Sequence, residues 1–218
     1  MTDWVKDKPK IEYDGEKGIY QPNEIEEVLI RIKRVLVKNG ISLHPANEQD
    51  TAGFEKKHSI TLPLAYRRFI IEVTDGIDEG YHCSIPKLIG RKISGSPGIP
   101  FPLKNYWAAE SEEELCEEIF NRGLHEVNNN GRIDLDYNQG LWTLIVTGDC
   151  YGEVWNVGNW NTYHFTSLLF PRRDFLSWFE FCLENKIDIN NGNEVFIAMN
   201  GFHKDLWDWD KYSDFDRS

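Results

Sequence analysis

The fold is decided by residues 140–160, GLWTLIVTGDCYGEVWNVGNW, and by residues 175–184, FLSWFEFCLE. The segment from Leu141 to Thr147 is a nearly continuous run of apolar and β-branched residues, which is typical of a buried strand. Gly148-Asp149 interrupts this run, and a second strand is expected from Gly152 to Val157. In the later stretch apolar residues recur every three or four positions, which predicts a helix. The two stretches together predict a hydrophobic sheet with an aromatic helix packed on it.

Three further helices are predicted in the first third of the chain. The first follows Pro22, with Asn23 as its N-cap, and carries an apolar stripe from Ile25 to Leu36. The second is capped by Asn47, and the third begins at Pro63, since proline suits the first turn of a helix. These helices supply the layer that would cover one face of the sheet.

Further strands are expected on both sides of the deciding stretch. The segment from Tyr81 to Ile93 reads as strand-like, and Asn130-Gly131 predicts a hairpin turn. That turn would join strands near His125 to Asn128 and from Arg132 to Tyr137, and another strand is expected at Thr162 to Thr166. The fold class predicted is α+β, with helices packed on a mainly antiparallel mixed sheet.

The domain organisation follows from composition along the 218 residues. Residues 1–21 are polar and of mixed charge, and we interpret them as an N-terminal extension. Residues 22–200 hold all the periodic segments and predict one domain. Residues 201–218 form an acidic, tryptophan-bearing C-terminal tail, with five aspartates from Asp205 to Asp216.

The net charge of −12 restricts the classes of partner. Nucleic-acid binding needs lysine and arginine to displace counterions, so we expect no nucleic-acid partner. An acidic surface instead attracts cationic partners and accelerates their association. The first 21 residues lack the apolar core of a secretory signal, and no run approaches the roughly 20 apolar residues of a membrane span. We therefore expect a cytoplasmic protein with no membrane partner.

Sites for catalysis, metals and cofactors are not indicated by the residue patterns. Asp134, Asp136 and Asn138 have the spacing of a calcium loop, but the glycine comes late and Ile145 stands where a bidentate glutamate is needed. Cys150 lies in a glycine-flanked turn without a histidine at fixed spacing, and all four cysteines are interpreted as reduced and buried. We expect no enzyme activity, no metal and no cofactor.

Candidate partner-binding residues lie at the ends of predicted elements. The loop from Asp75 to Glu79 is expected to be exposed, and its acids could share one face with those of the Gly148–Gly152 turn. Tyr151 and Trp160, in or next to glycine and asparagine turns, suit either interface anchors or side chains that cover the core. The residues proposed to contact a partner are Asp75, Asp78, Glu79, Asp149, Tyr151, Glu153 and Trp160.

Two blocks resemble the SUKH superfamily and together cover roughly residues 40–187. Residues 45–76, beginning PANEQDTAGFEKKHSITLP, are similar to its N-terminal motif, in which a helix ending in Phe-Glu is followed by Leu-Pro and a second helix. The stretch quoted first is similar to its strand pair and closing helix. Departures occur at Thr51, His58, Ser59 and Cys182. The matching positions are Pro45, Ala46, Phe54, Glu55, Leu62, Pro63, Tyr66, Phe69, Gly76, Leu144, Val146, Gly148, Gly152, Val154, Trp155, Phe175, Leu176, Trp178, Phe179 and Leu183.

The resemblance implies a SUKH-like fold and a binding protein. Bacterial members of the superfamily are mostly immunity proteins that neutralise toxin domains, many of them nucleases, of polymorphic or contact-dependent toxin systems. Fungal members regulate cell-wall assembly and signalling. The first hypothesis is therefore an immunity protein whose partner is a cognate toxin. The alternatives are a regulatory or scaffold protein of cell-wall or signalling type, and a hydrolase whose site the sequence does not reveal.

Overall fold

The computed structural model describes residues 20–103, 124–137, 142–157, 165–166 and 174–190. Within them the chain forms five helices and one four-stranded sheet. In chain order the elements are α1 (Pro22–Lys38), α2 (Glu48–His58), α3 (Leu64–Glu72), α4 (Leu124–Asn129), β1 (Arg132–Asp134), β2 (Trp142–Ile145), β3 (Val154–Val157), β4 (Phe165–Thr166) and α5 (Phe175–Asn185). The predicted α+β class is confirmed. The N-terminal residues 1–19 and the tail 201–218 lie outside the described residues.

The sheet is antiparallel throughout, with the strands in sequence order β1-β2-β3-β4. Leu144 of β2 stands opposite Ile133 of β1 on one side and Val154 of β3 on the other. The two deciding strands are therefore paired as predicted, through the turn that contains Gly148-Asp149. Gly148 and Gly152 both have positive φ, which that turn requires.

Strand β2 is buried on both faces, since successive strand residues point to opposite sides and all four of its residues are buried. Leu144 and Val154 belong to the main core beneath the helices, whereas Ile145 and Trp155 belong to a second cluster with Phe101. The second cluster is completed by Leu103, Val127 and Cys150. A run such as WTLI, buried at all four positions, follows from this two-sided packing.

Aromatic side chains join the helical layer to the closing helix. Phe175 of α5 contacts Tyr66 and Phe69 of α3 edge-on, with ring centroids 4.7 and 4.9 Å apart. Trp178 packs near Trp142 of the sheet, and its side chain is fully buried. Edge-to-face pairs of this kind add about 0.5–1.5 kcal/mol beyond the burial of apolar area. The residues of the closing-helix pattern are thus core residues.

The helix starts obey capping rules, with one correction to the expected positions. Asn47 accepts a hydrogen bond from the backbone N–H of Asp50 at 2.8 Å, as predicted for α2. Helix α1, however, has Gln21 and not Asn23 as its N-cap, and the Glu24 carboxylate accepts from the Gln21 N–H at 2.8 Å. Proline at the first helical position moves the start of the helix two residues earlier than the asparagine suggested.

Two expected strands are absent from the described residues. Residues 81–93 form turns and irregular backbone, with a single antiparallel bridge between Ile77 and Ile85. The segment near His125 to Asn128 is helix α4 and not a strand. Asn130-Gly131 therefore joins a helix to β1, and Gly131 has a φ of 65°.

Candidate functional site

The turn between β2 and β3 presents an acidic side chain and a tyrosine at one end of the sheet. Backbone bonds close the turn tightly: Tyr151 N–H donates to Gly148 O at 3.2 Å and Gly152 N–H donates to Ile145 O at 2.9 Å. Asp149 and Tyr151 are both exposed, and Tyr151 keeps 40% of its surface accessible. Two of the predicted partner-binding residues thus lie in one hydrogen-bonded turn, with buried Cys150 between them.

Tyr151 is held by its hydroxyl as well as by its backbone. The hydroxyl donates to the carbonyl oxygen of Thr61, in the loop between α2 and α3, at 3.2 Å. Burial of this hydroxyl and the nearby Glu55 carboxylate raise the pKa of Tyr151, so the phenol stays protonated and remains a donor at neutral pH. This hydrogen bond favours one orientation of the exposed ring.

Glu153, another predicted residue near this turn, does not add to its exposed surface in the same way. Glu153 is half-buried, and its carboxylate accepts from the indole N–H of Trp155 at 2.9 Å. Its backbone also forms a bridge with Asp174, the N-cap of α5. Glu153 therefore has a structural contact of its own, and Trp160 lies outside the described residues.

Asp75 is a correction to the expected exposed loop. Its side chain is only 3% exposed and accepts from Leu88 N–H at 2.8 Å and from Ile89 N–H at 3.1 Å. Ile77 is also buried, whereas Asp78 and Glu79 are exposed. The reason is that the chain folds back at residue 88 with two backbone donors that need acceptors, and Asp75 supplies them.

Asp78 and Glu79 form the tip of a short hairpin whose base is fixed by a residue that the sequence did not single out. Ile77 and Ile85 exchange backbone hydrogen bonds of 2.8 and 3.1 Å. The Tyr137 hydroxyl reaches both of their carbonyl oxygens, at 3.3 and 3.4 Å. Burial and then the charges of Asp78 and Glu79 raise the pKa of Tyr137. This tip therefore combines two exposed acids with an exposed aromatic ring.

The two acidic regions lie at opposite ends of β2. Tyr137 belongs to the connection between β1 and β2, before Trp142, whereas Asp149 and Tyr151 follow the end of β2. β2 runs from Trp142 to Ile145, so at about 3.3 Å per residue its two ends lie about 10 Å apart. The acids predicted to share one face thus form two separate patches, and a single partner contacting both must span the sheet.

A cleft of about 280 Å³ adjoins the hairpin tip. Its polar lining includes Arg91, Lys92, Asp134 and Tyr137, and its apolar lining includes Pro86 and Ile93. The sequence signal for this cleft was residues 87–92, KLIGRK, which hold three cations in a strongly acidic chain. Interpretation of the same segment as a strand concealed that signal.

The acids of the rejected calcium motif serve the fold. Asp134 accepts from the Arg132 guanidinium at 2.8 Å, and buried Asp136 accepts from the Trp142 N–H at 2.5 Å. Cys150 is buried and its thiol lies 3.6 Å from the Leu103 carbonyl oxygen. Within the part of the chain that the structure describes, no cluster of three or more histidine, cysteine or acidic side chains has the arrangement of a metal site.

Comparison with known proteins gives no relative: no protein-family model, no curated protein and no solved structure matches the chain. Among the described helices, none is long and apolar enough to cross a membrane.

Proposed function

We propose that this chain is an immunity protein of the SUKH type, which binds a cognate toxin domain of nuclease class in the cytoplasm and neutralises it without turnover. The observation that carries the proposal is the turn surface of Asp149 and Tyr151, in which an exposed tyrosine anchored by a hydrogen bond to Thr61 lies in the same turn as an exposed acid. Tyrosines with one fixed orientation are frequent binding hot spots. A nuclease domain is basic where it meets nucleic acid, so it offers the complementary charge.

The resemblance to the superfamily is supported by the burial of its matched positions. The apolar residues of the first block lie just before α2, in α2, in α3 and in the loop between the two helices, and those of the second lie in β2, in β3, in α5 and directly after β2. The buried ones among them include Phe54, Leu62, Tyr66, Phe69, Leu144, Val146, Val154, Trp155, Phe175, Leu176, Trp178, Phe179 and Leu183. The motif residues thus build the core, and they leave recognition of a partner to turns such as residues 148–152.

The proposal is tested by isolating the partner and measuring binding with charge-matched variants. The purified chain is used to capture partners from a lysate of the source organism, and a recovered toxin domain is then co-expressed with the chain to score protection of growth. Affinity is measured for Tyr151→Ala and Asp149→Lys. Glu27→Lys is the control, because Glu27 is an exposed acid of α1 on another element and carries the same change in charge.

Tyr151→Ala is expected to weaken binding about 30-fold, the loss that corresponds to a hot spot of about 2 kcal/mol. Asp149→Lys should slow association several-fold at low salt, and the difference should shrink as ionic strength rises. Glu27→Lys should leave affinity within about twofold of the wild type. Equal behaviour of all three variants, or a captured toxin against which the chain gives no protection, would refute the proposal.

A further inference from the structure

The loop between α2 and α3 is attached to one helical residue, Glu55. The Glu55 carboxylate accepts from the Leu62 N–H at 2.8 Å, and the Glu55 backbone carbonyl accepts from the Ile60 N–H at 3.0 Å. Only 14% of the Glu55 side chain is exposed. Because the side chain and the backbone of the same residue both accept from the loop, Glu55 fixes the path of the chain where it leaves α2.

The peptide group that donates to Glu55 also accepts from Tyr151. The Thr61 carbonyl and the Leu62 N–H belong to one planar peptide group. Its N–H contacts the Glu55 carboxylate, and its oxygen accepts from the Tyr151 hydroxyl at 3.2 Å. A bond from the N–H to an anionic acceptor polarises the peptide group and makes its carbonyl a stronger acceptor. Glu55 and Tyr151 are therefore coupled through a chain of two hydrogen bonds.

Arg67 binds the other oxygen of the Glu55 carboxylate. Its Nε donates to that oxygen at 3.3 Å, and its terminal nitrogens donate to Glu48. Each oxygen of the Glu55 carboxylate consequently has a donor of its own. The oxygen that faces Leu62 is not shared with the arginine, so it remains available to the loop.

The direction of the Tyr151 hydrogen bond decides what the turn offers to a partner. A carbonyl oxygen only accepts, so the phenol hydroxyl must donate to Thr61. The phenol oxygen can then only accept from a partner, and the exposed Asp149 carboxylate of the same turn also only accepts. Such a surface suits a positively charged donor, as in a lysine or arginine side chain, and disfavours a carboxylate.

We propose that Glu55 is a positioning residue for Tyr151: through the Thr61–Leu62 peptide it directs the phenol hydroxyl inward, so that the turn accepts hydrogen bonds from a lysine or arginine side chain of the partner. This proposal rests on the proposed function, because it takes Tyr151 as part of the surface that binds the toxin domain. The coupling of Glu55 to Tyr151 is nevertheless a property of the isolated chain, and it is tested without a partner.

Nitration of the full chain by tetranitromethane tests the coupling, because the reagent attacks the ionised phenol and peptide mapping gives the rate at Tyr151. Glu55→Gln retains an oxygen for the Leu62 N–H but removes a negative charge, and it should raise that rate about threefold. Arg67→Gln removes the positive charge beside Glu55 and should slow the reaction about twofold. Opposite effects are expected from charge, whereas a loosened loop would accelerate the reaction in both variants.

Two controls accompany the nitration experiment. Glu72→Gln is the matched variant, since Glu72 pairs with Arg68 near the other end of α3, and it should react like the wild type. Tyr66 is only 2% exposed and should stay unmodified, which verifies the fold of each variant. Equal rates for Glu55→Gln and Glu72→Gln, or acceleration by Arg67→Gln, would overturn the coupling. If Tyr66 reacts in Glu55→Gln, the Arg67→Gln rate decides.

Affinity for the captured toxin domain tests the consequence for binding. Glu55→Gln and Tyr151→Phe should each weaken binding about fivefold, and the double variant should lose little more, because both changes act on the same hydrogen bond. Alanine scanning of the toxin's lysines and arginines should find one whose loss costs less with Tyr151→Phe than with the wild type. Additive losses, or no such residue, would overturn the proposal. Unchanged affinity of Tyr151→Ala would instead count against the proposed function, and the nitration rates would still decide the coupling.

Discussion

Replacement of Asp75 by alanine tests the account of how the segment from Ile77 to Arg91 is fixed to the domain. The carboxylate accepts two buried or half-buried backbone donors, Leu88 N–H at 2.8 Å and Ile89 N–H at 3.1 Å. Leu88 is fully buried, so no water replaces the lost acceptor. The hairpin tip and two residues of the cleft lining, Pro86 and Arg91, belong to the segment held by this contact.

The magnitude follows from the number of donors left without a partner. Each buried, unsatisfied donor costs about 1–3 kcal/mol, so Asp75→Ala should lower the free energy of unfolding by about 2–4 kcal/mol when the half-buried Ile89 N–H is counted partially. Asp75→Asn retains an oxygen at the Oδ1 position, which already lies 2.8 and 3.4 Å from the two nitrogens. It should cost about 1 kcal/mol or less. Urea unfolding followed by tryptophan fluorescence measures both differences.

The pH dependence of the same pair of proteins checks the charge state of Asp75. Burial raises the pKa of this carboxyl above its ordinary value, although the two backbone donors oppose the shift. A group whose pKa is raised on folding stabilises the folded state below the unfolded pKa of about 3.9, and this contribution is lost as pH rises through the folded pKa. The stability of the wild type relative to Asp75→Asn should therefore decrease from pH 3 to pH 7.

Two outcomes would show that the reasoning about Asp75 is wrong. One is a loss below about 1 kcal/mol for Asp75→Ala, which would mean that the freed donors find water and that the segment opens at little cost. The other is equal destabilisation by alanine and asparagine, because the amide retains the acceptor and removes only the charge. If the stability of the wild type relative to Asp75→Asn increased with pH, only the raised pKa of Asp75 would be contradicted.

Three further predictions concern other parts of the fold. In thermal unfolding, Gly131→Ala should destabilise the protein by more than about 3 kcal/mol, because φ is 65° and the new Cβ would lie 2.3 Å from Phe101 N. Gly53→Ala is the control, since Gly53 faces open space on α2, and it should be neutral or stabilising. Tyr137→Phe should cost about 0.5–1.5 kcal/mol in urea unfolding, since the hydroxyl reaches two carbonyl oxygens of the hairpin. Cys83 and Cys182 should resist an aromatic disulfide reagent in the native protein and react after unfolding, because burial raises the pKa of both thiols. Peptide mapping would identify the labelled positions, and rapid labelling of either cysteine in the native protein would refute their burial.

The elements that the sequence predicted correctly are those in which local pattern and burial agree. Helix α1 carries an apolar stripe at helical spacing, and β2 and β3 are short apolar runs joined by a glycine turn. The same agreement holds at Asn47, where the capping residue contacts a donor only three positions away. Because each of these signals is contained within a few residues, no knowledge of distant contacts is needed to read it.

Residues 81–93 show where the local pattern is insufficient. Their apolar side chains are buried without a strand, since Leu88 fills the core while its backbone donates to the distant Asp75. The backbone N–H of Leu88 donates to a side chain thirteen positions earlier and not to a neighbouring strand. The alternation of polar and apolar residues is the same in both cases, so the sequence pattern does not reveal the difference. Similarly, α4 occupies a short segment that Asn130-Gly131 made resemble a hairpin arm.

The sequence predicted that the candidate site contains acids and aromatic residues, but it did not predict which of them are exposed or how they are arranged. An excess of acids predicts a cationic partner from the net charge alone, yet the function of each acid depends on the donors that reach it. Asp75 has backbone donors and is buried, Glu153 has the indole of Trp155, and Asp149 is exposed. An exposed acid without such a donor has all its acceptor sites available to a partner. Under the proposed function, recognition would therefore rest on Asp149 at one end of β2 or on Asp78 and Glu79 at the other, which are the exposed acids among the predicted residues.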